Sequence, residues 1–273
     1  FNTMKTVYIT AYHGFVSRAL FQGSLLRDLT RSGDVRVVIC APSAKKDYLT
    51  ALYGVPHVQV VGIDVHQEVA LPYNKFWYRL GFLLEDTHYV LDQRKERLWN
   101  NRTLLGYCNF ALISALAWCL QRIPFGRDLY RYLDSLFARS DIDARLIPLG
   151  APDLVFAGDV FGEADLFFLR AARRLGIPTV GMIRSWDNTT TKGVLRFFPD
   201  SIIVNSGVIQ EELNRIHGFP IERTHVVGLP QFDAWVAGPT MSREEFLASL
   251  GVSSSKRLLL FAPAGSVLSS TDW

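Results

Sequence analysis

Short apolar runs alternate along the chain with segments whose apolar residues recur every three or four positions. The runs lie at residues 6–11, 35–40, 57–63, 152–157, 177–183, 200–204 and 224–228. Between two of them, a stripe at helical spacing is formed by Phe161, Ala164, Phe168, Ala171 and Leu175. Such a stripe predicts a helix with one buried face, and strands that alternate with helices form parallel sheets. The pattern therefore predicts an α/β fold, with a Rossmann-like parallel sheet and helices on both faces.

Residues 75–145 interrupt the alternation with an aromatic-rich sequence of helical character, which we interpret as an insertion. Within it, residues 103–121 carry no charge and would just cross the ~30 Å hydrocarbon core of a bilayer. The apolar character of this stretch is diluted by Thr103, Asn109, Ser114 and Gln121. We therefore expect a buried or interface-seeking helix and not a membrane span. The flanking Arg102 and Arg122 favour peripheral contact of residues 75–125 with an anionic membrane.

The sequence changes character after the last of these runs. Residues 229–233 and 238–239 combine proline and glycine with polar residues, which predicts a linker. Ser242 and Glu245 have the spacing of a capping box at the start of a short helix, and residues 257–263 read as a fully buried strand. Because a buried parallel strand needs neighbours on both sides, we expect a second α/β domain to begin here.

The length of the chain allows one large domain, or one domain and part of another. Apolar residues make up 49% of the chain and charged residues 20%, which is the composition of a protein with a substantial core. We divide the chain into a Rossmann-like domain at residues 1–230, with the helical insertion at 75–145, and a linker with the first elements of a truncated second α/β domain at 231–273.

Charge and cysteine content exclude several classes of function. The chain has 29 basic and 26 acidic residues, so its net charge is only +3, and no basic run exceeds two residues; nucleic acid is therefore not an expected partner. The three cysteines form no CxxC pair and the six histidines show no metal-ligand spacing, so we expect a reducing, cytoplasmic environment and no metal. Neither a signal peptide, a P-loop nor a dinucleotide fingerprint is recognisable, and no cofactor is implied.

The loops that follow parallel strands converge on one crevice, where ligands bind. One such loop, at residues 185–193, combines a carboxylate, an amide, hydroxyls, an ammonium and an aromatic ring. Its candidate binding residues are Ser185, Trp186, Asp187, Asn188 and Lys192. An aromatic face beside hydrogen-bonding groups suits recognition of a sugar or a nucleobase. The alternative is purely structural: Asp187 and Asn188 form a turn, and Trp186 packs against the helices.

His13 is the candidate base, because it follows the first strand and its side chain titrates near neutral pH. Gly14 would allow a ligand to approach the backbone closely. The alternative for His13 is a turn histidine that bonds to backbone groups. Asp159 either caps the helix after its strand or binds a ligand, and Asn205 follows the next strand but one. Since His13 and Asp187 both follow parallel strands, we expect them to face one cleft, where Asp187 orients an acceptor hydroxyl or holds the imidazole.

Two segments resemble a known superfamily. The sequence THVVGLPQFD at residues 224–233, followed by the capped helix and by RLLLFAP at 257–263, resembles the interdomain passage of GT-B glycosyltransferases. It is most similar to bacterial surface-polysaccharide enzymes and to the related CDP-glycerol glycerophosphotransferases and UDP-GlcNAc 2-epimerases. The loop at 185–193 also looks like a loop of GT-B-like surface-carbohydrate proteins. The resemblance covers the whole first domain in layout, whereas only these short motifs carry it in sequence.

This resemblance implies a function and leaves alternatives. In such enzymes the N-terminal domain holds the acceptor, the C-terminal domain holds the nucleotide of the donor, and a loop residue after the first strand acts as base, which would be His13. It implies transfer of a sugar from a nucleotide-sugar donor to a glycan or lipid-linked acceptor, and inactivity of this chain without the rest of the C-terminal domain. The alternatives are a 2-epimerase or glycerophosphotransferase of the same architecture, or a non-catalytic sugar- or nucleotide-binding module.

Overall fold

In the computed structural model, the described parts of the chain are residues 4–21, 23–100, 103–137, 140–146, 149–236 and 238–261. Arg102 and residues 262–263, which the sequence analysis singled out, lie outside these ranges. The chain divides into two compact units, Phe1–Gln231 and Phe232–Trp273.

Seven strands of the first unit form one parallel sheet in the order β3-β2-β1-β4-β5-β6-β7. The strands are β1 (Lys5–Thr10), β2 (Val35–Ala41), β3 (Val58–Gly62), β4 (Leu154–Ala157), β5 (Thr179–Met182), β6 (Ser201–Val204) and β7 (Thr224–Val226). The order runs outward from β1 in both directions, as in doubly wound nucleotide-binding sheets. The predicted Rossmann-like parallel sheet is confirmed, and each strand lies within or beside its predicted apolar run.

Helices connect the strands of the first unit, and two more lie in the second unit. They are α1 (Gly14–Phe21), α2 (Leu25–Thr30), α3 (Lys46–Tyr53), α4 (His66–Ala70), α5 (Pro72–Leu83), α6 (His88–Asn100), α7 (Leu104–Arg122), α8 (Gly126–Phe137), α9 (Ile142–Leu146), α10 (Glu163–Arg174), α11 (Asn188–Thr191), α12 (Gly207–His217), α13 (Asp233–Val236) and α14 (Arg243–Ser249). The segment between β3 and β4 contains α4 to α9, so the interruption of the alternation is helical, as its sequence pattern indicates.

The sheet is covered on both faces, because successive residues of a strand point to opposite sides. Tyr8 of β1 packs in a cluster with Phe168 of α10 and with α9. Its neighbour Ile9 packs on the other side with Leu20 of α1 and Leu49 of α3. Helices on both faces are therefore confirmed. These two clusters hold the central strands rigidly and fix the loops at their carboxyl ends.

The predicted stripe of α10 is only partly correct. Phe168 and Ala171 are buried against the sheet, but Leu175 is 42% exposed. The helix ends at Arg174, and Leu175 occupies the C-cap position before Gly176, whose φ of +70° turns the chain away. Leu175 therefore leaves the helical face to which its spacing assigned it.

The long uncharged helix α7 is mostly exposed. Its buried side is the narrow stripe of Ile113, Ala117 and Leu120, which packs against α5 and α8. Most of its other apolar residues, such as Leu105 and Leu112, face outward, whereas Phe110 is partly buried against the same cluster. Within the described residues, α7 is the helix that is long and apolar enough to cross a membrane by length and composition, and 17% of its most apolar stretch is buried. The expectation that this helix is buried is therefore wrong for most of its surface. The expectation that it seeks a membrane interface stays a prediction.

The second unit contains the predicted capping box. The hydroxyl of Ser242 accepts from the backbone N–H of Glu245 at 3.2 Å, and the Glu245 carboxylate accepts from the N–H of Ser242 at 2.7 Å. The buried strand predicted at 257–263 is wrong over residues 257–261, which belong to no strand and are exposed. A strand needs partners for its backbone groups, and the described part of this unit contains none.

Candidate functional site

Three side chains meet at the carboxyl edge of the sheet, each from the loop after a different strand. His13 follows β1, Asp159 follows β4 and Arg184 follows β5. The Nε of Arg184 donates to Oδ2 of Asp159 at 2.9 Å, and its Nη1 lies 3.2 Å from both ring nitrogens of His13. Because β1, β4 and β5 are consecutive in the sheet, their loops converge. The structure joins His13 and Asp159 through Arg184, which the sequence analysis did not propose as a site residue.

Asp159 closes a turn between β4 and α10. Its Oδ1 accepts from the backbone N–H of Phe161 at 3.0 Å, which is an Asx turn. The N-cap of α10 is Gly162, so the alternative in which Asp159 caps this helix is wrong. The chain makes one further turn before the helix begins. Because the Asx turn uses Oδ1 of Asp159, Oδ2 remains to accept from Arg184. The ion pair is largely shielded from water, with 8% of the Asp159 side chain exposed.

The buried carboxyl group of Asp165 holds the loop that carries Asp159. The hydroxyl of Thr10 and the backbone N–H of Asp159 both donate to Oδ1 of Asp165, the latter at 3.2 Å. The Thr10 hydroxyl also accepts from the N–H of Gly158 at 2.9 Å. Burial, together with the charge of Asp159, raises the pKa of Asp165 to about 7. This network fastens the end of β1 to the loop after β4, and it thereby fixes the position of Asp159.

The environment of His13 favours its neutral form. Burial and the charge of Arg184 lower the pKa of His13 below its usual value, while Asp159 opposes the shift. The ring stacks on Phe15 with centroids 5.4 Å apart, and its Nδ1 accepts from the Phe15 backbone N–H at 3.3 Å. This backbone contact is that of a turn histidine, and the contact with Arg184 is additional to it. Beside the ring, Gly14 leaves open space where a side chain would stand.

The loop at 185–193 forms the turn that was the structural alternative for Asp187 and Asn188. The N–H of Asn188 donates to the carbonyl of Ser185 at 3.2 Å, and α11 begins there. Partial burial raises the pKa of Asp187, but hydrogen bonds from Ser185 and Thr191 outweigh it, so the net shift is downward. Asp187 is therefore ionised at neutral pH. Because Arg184 is the charged group that the structure places against the imidazole, orientation of His13 by Asp187 stays a prediction.

The other candidate residues of these loops divide into exposed and buried groups. Trp186 is 73% exposed, so the structural alternative in which its ring packs against the helices is wrong: the turn carries the ring to the surface. Lys192 is exposed as well. Asn188 is buried and Asn205 half-buried, and each has an amide nitrogen without a hydrogen-bond partner among the described residues. A buried unpaired donor costs about 1–3 kcal/mol, which makes both amides candidates for ligand contacts.

His217 holds the 185–195 region in place, a role that the sequence analysis missed. Its Nδ1 accepts from the N–H of Leu195 at 3.1 Å, and its Nε2 contacts the carbonyl of Thr189 at 2.8 Å. Complete burial lowers the pKa of His217 to about 3, so the ring is neutral. The signal was available in the sequence, because His217 follows buried Leu213 by four residues on the same face of α12.

The edge of the sheet therefore presents a proton acceptor, a cation and an exposed aromatic face. A neutral imidazole can take a proton from a hydroxyl group, and a guanidinium can pair with phosphate or another anion. Within the described ranges, no group of three or more His, Cys, Asp or Glu residues could hold a metal ion.

Sequence comparisons gave no match, either to a family model or to a curated protein. Among solved structures, UGT89C1 of Arabidopsis thaliana in complex with UDP superposes with a TM-score of 0.36 at 13% identity, over 87% of this chain and 56% of that chain. The same protein in complex with quercetin gives 0.37 at 14%, over 89% and 57%. The glycosyltransferase VinC in complex with dTDP gives 0.32 at 17%, over 88% and 46%. The chain spans about half the length of these proteins.

Proposed function

We propose that this chain forms the acceptor-side domain of a GT-B glycosyltransferase of surface-polysaccharide synthesis. The enzyme would transfer a sugar from a nucleotide-sugar donor to a hydroxyl of a glycan or lipid-linked acceptor. The observation that carries the proposal is the half-buried imidazole of His13, held against Arg184 at the ligand-binding edge of a Rossmann-like sheet. Transfer to a hydroxyl needs a base at such a position. The motif resemblance at residues 224–233 supports the same assignment.

In the proposed step, the acceptor oxygen attacks the anomeric carbon of the donor sugar. The bond between that carbon and the diphosphate oxygen breaks, and its electron pair leaves with the nucleoside diphosphate. The hydroxyl proton passes to His13, which is neutral beforehand because burial and Arg184 disfavour its charged form. Asp159 neutralises Arg184 and so limits how far the basicity of His13 falls.

The remaining loop residues would bind the acceptor. Asp187 is an ionised hydrogen-bond acceptor for a sugar hydroxyl, and Trp186 offers an exposed ring for stacking. The amides of Asn188 and Asn205 supply donors that lack partners among the described residues. The donor nucleotide would be held mainly by the second domain of the GT-B architecture.

One observation favours a second candidate, a CDP-glycerol-dependent glycerophosphotransferase. The positive charges of Arg184, Lys192 and Lys45 act on His13, against the negative charge of Asp159. A positive environment around the base would also suit a substrate whose transferred group is itself a phosphate. The two candidates use the same base and differ in the bond that breaks, because glycerophosphate transfer releases CMP whereas sugar transfer releases a nucleoside diphosphate.

The products of the full-length protein distinguish these functions. The assay would offer UDP-glucose, UDP-GlcNAc, GDP-mannose and CDP-glycerol in turn, with membrane extract as the source of acceptor, and identify nucleotides and sugars by chromatography. The proposal predicts acceptor-dependent release of UDP or GDP. Release of CMP would establish the second candidate, and conversion of UDP-GlcNAc without acceptor would establish an epimerase. Turnover of none of these donors, together with binding of one of them, would contradict enzymatic function and favour a binding module.

A further inference from the structure

A cavity lies between the helical insertion and the end of α12, and its lining includes neither His13, Asp159 nor Arg184. Its volume is about 890 Å³, and it is bounded by α6, α7, α8 and the end of α12. Five arginines line it: Arg94, Arg122, Arg127, Arg131 and Arg215. The lining carboxylates are those of Asp86 and Asp128, so cations outnumber anions around this cavity.

Most of these guanidinium groups are paired with neutral oxygens. Arg94 donates to the carbonyl of Leu83, and Arg127 donates to that of Ile216. Within the described residues, Arg131 is the one arginine of the five with a carboxylate at ion-pair distance. Its partner is Asp128, at 2.7 Å. Each carbonyl occupies one of the five N–H donors of a guanidinium. Positive charge and hydrogen-bond donors therefore remain available to an anion.

Buried Glu85 adds little negative charge at neutral pH. Burial raises its pKa to about 8, although Arg127 opposes the shift. Burial lowers the pKa of Arg131; its partner Asp128 opposes this shift, and the nearby charge of Arg127 adds to it. The electrostatic character of the cavity is therefore that of an anion site, not of a closed network of ion pairs.

The mouth of this cavity adjoins an exposed apolar surface. Trp118, Ile123 and Phe125 line the cavity and are themselves between 48% and 83% exposed. The surface continues along α7, on the side opposite its buried stripe. At three- and four-residue spacing, that side carries Cys108, Leu112, Ala115 and Cys119. Exposed apolar area and nearby cations both strengthen the binding of a protein to the interface of an anionic membrane.

We propose that the cavity binds the phosphate headgroup of an anionic membrane lipid, while the outer face of α7 lies in the bilayer interface. Guanidinium groups bind phosphate with paired, charge-assisted hydrogen bonds. Charge complementarity favours this occupant over a second copy of the chain, because two such basic mouths would repel each other. The inference does not depend on the proposed transferase activity.

The two exposed cysteines allow a direct test. Cys108 and Cys119 are exposed and both lie on α7, whereas Cys40 is buried. A thiol-reactive environment-sensitive fluorophore would therefore label α7 in the native protein. We expect a blue shift of its emission on vesicles of phosphatidylcholine with phosphatidic acid, and none on phosphatidylcholine alone. Labelling in the presence of these anionic vesicles should also be slower than in buffer.

Removal of exposed cavity arginines should weaken vesicle binding. Arg122 and Arg215 are exposed, so the double variant Arg122→Gln/Arg215→Gln should fold, as thermal melts would show. Basic residues at an anionic surface contribute about fivefold each, so we expect binding to fall about 30-fold. The matched control is Arg27→Gln/Arg31→Gln, which removes two exposed arginines elsewhere and should bind like the original chain.

The outcomes separate the lipid from other occupants. Equal vesicle binding by the cavity variant and the control would overturn the proposal. Titration with glycerol 3-phosphate that shows binding, with no vesicle binding, would overturn the lipid assignment in favour of a soluble phosphate. Dimerisation in sedimentation experiments that is lost in Leu112→Gln, with no vesicle binding, would show that a second copy covers α7. The apolar control, Leu52→Gln on α3, should change none of these measurements.

Discussion

Arg184 places a guanidinium nitrogen 3.2 Å from both ring nitrogens of His13. A fixed cation so close to an imidazole disfavours protonation of the ring. The same guanidinium is held by Asp159 at 2.9 Å, so it cannot move aside without losing a shielded ion pair. Burial lowers the pKa of His13 most, and Arg184, which follows a different strand, lowers it further.

The first prediction concerns the effect of Arg184 on the pKa of His13. In Arg184→Gln the pKa of His13 should rise, because the cation is lost and the charge of Asp159 is left unopposed. In Arg184→Lys it should stay below the usual value. Titration of the histidine Cε1 resonances by NMR, with His13 assigned by its loss in His13→Gln, would measure both. Arg31→Gln, at the exposed C-cap position that follows α2, is the control. An unchanged pKa in Arg184→Gln would contradict the assigned cause.

The second prediction concerns Asp187. Replacement by asparagine keeps the shape of the turn and removes the charge, so it separates acceptor orientation from turn formation. We expect kcat of the full-length enzyme to fall about 10- to 100-fold, the usual effect of a misplaced substrate, with an unchanged melting temperature. Asp92→Asn, on exposed α6, should be neutral. If Asp187→Asn has the activity of the original enzyme, Asp187 is only a turn residue.

The third prediction is a pH dependence of stability. His217 has a folded pKa of about 3, against its usual 6.5. Its contribution is therefore fully present above pH 6.5 and is lost as the pH falls towards 3, with a slope of about 1.4 kcal/mol per unit where the two states differ by one proton. Asp165, whose pKa is raised to about 7, acts in the opposite direction: stability falls as the pH rises between its usual value and 7.

The difference between the original chain and His217→Gln isolates the histidine, because Asp165 is common to both. Urea unfolding should show the variant as less stable at pH 7.5, by about 1–3 kcal/mol for the lost hydrogen bonds. This difference in the free energy of unfolding between the two proteins should narrow as the pH is lowered to 5. His88→Gln, at an exposed position on α6, should be as stable as the original chain at every pH. If the stability difference between the original chain and His217→Gln stays constant between pH 7.5 and 5, the buried ring of His217 is not neutral.

The strands could be predicted from the sequence because a strand buried on both faces reads as a short apolar run. The run at 257–263 shows the limit of this rule, since residues 257–261 are exposed and belong to no strand. Pairing depends on partner strands, which the run itself does not contain. The exposure of α7 could not be predicted either, because a helix that is apolar on all sides carries no signal for which side is covered.

The site was predictable in its loops but not in its contacts. The rule for carboxyl ends selected His13 and Asp159 from the sequence. Arg184 lies in an equally eligible loop, yet nothing local marks an arginine that will contact both. That contact depends on β1, β4 and β5 being neighbours, and β4 follows β1 only after the helical insertion. Trp186 was judged correctly as a loop residue, whereas its exposure depends on the turn at 185–188.

His13 is the proposed general base of the sugar transfer, and the decisive measurement is the kcat of His13→Ala in the full-length enzyme. Acceptor-dependent release of nucleoside diphosphate should fall by ~10²–10⁴-fold, the usual contribution of one general base, while the melting temperature stays close to that of the original protein. His88→Ala, at an exposed histidine of α6, should retain full activity. A His13→Ala enzyme that turns over like the original would contradict the claim, and His13 would then be a structural residue of its turn.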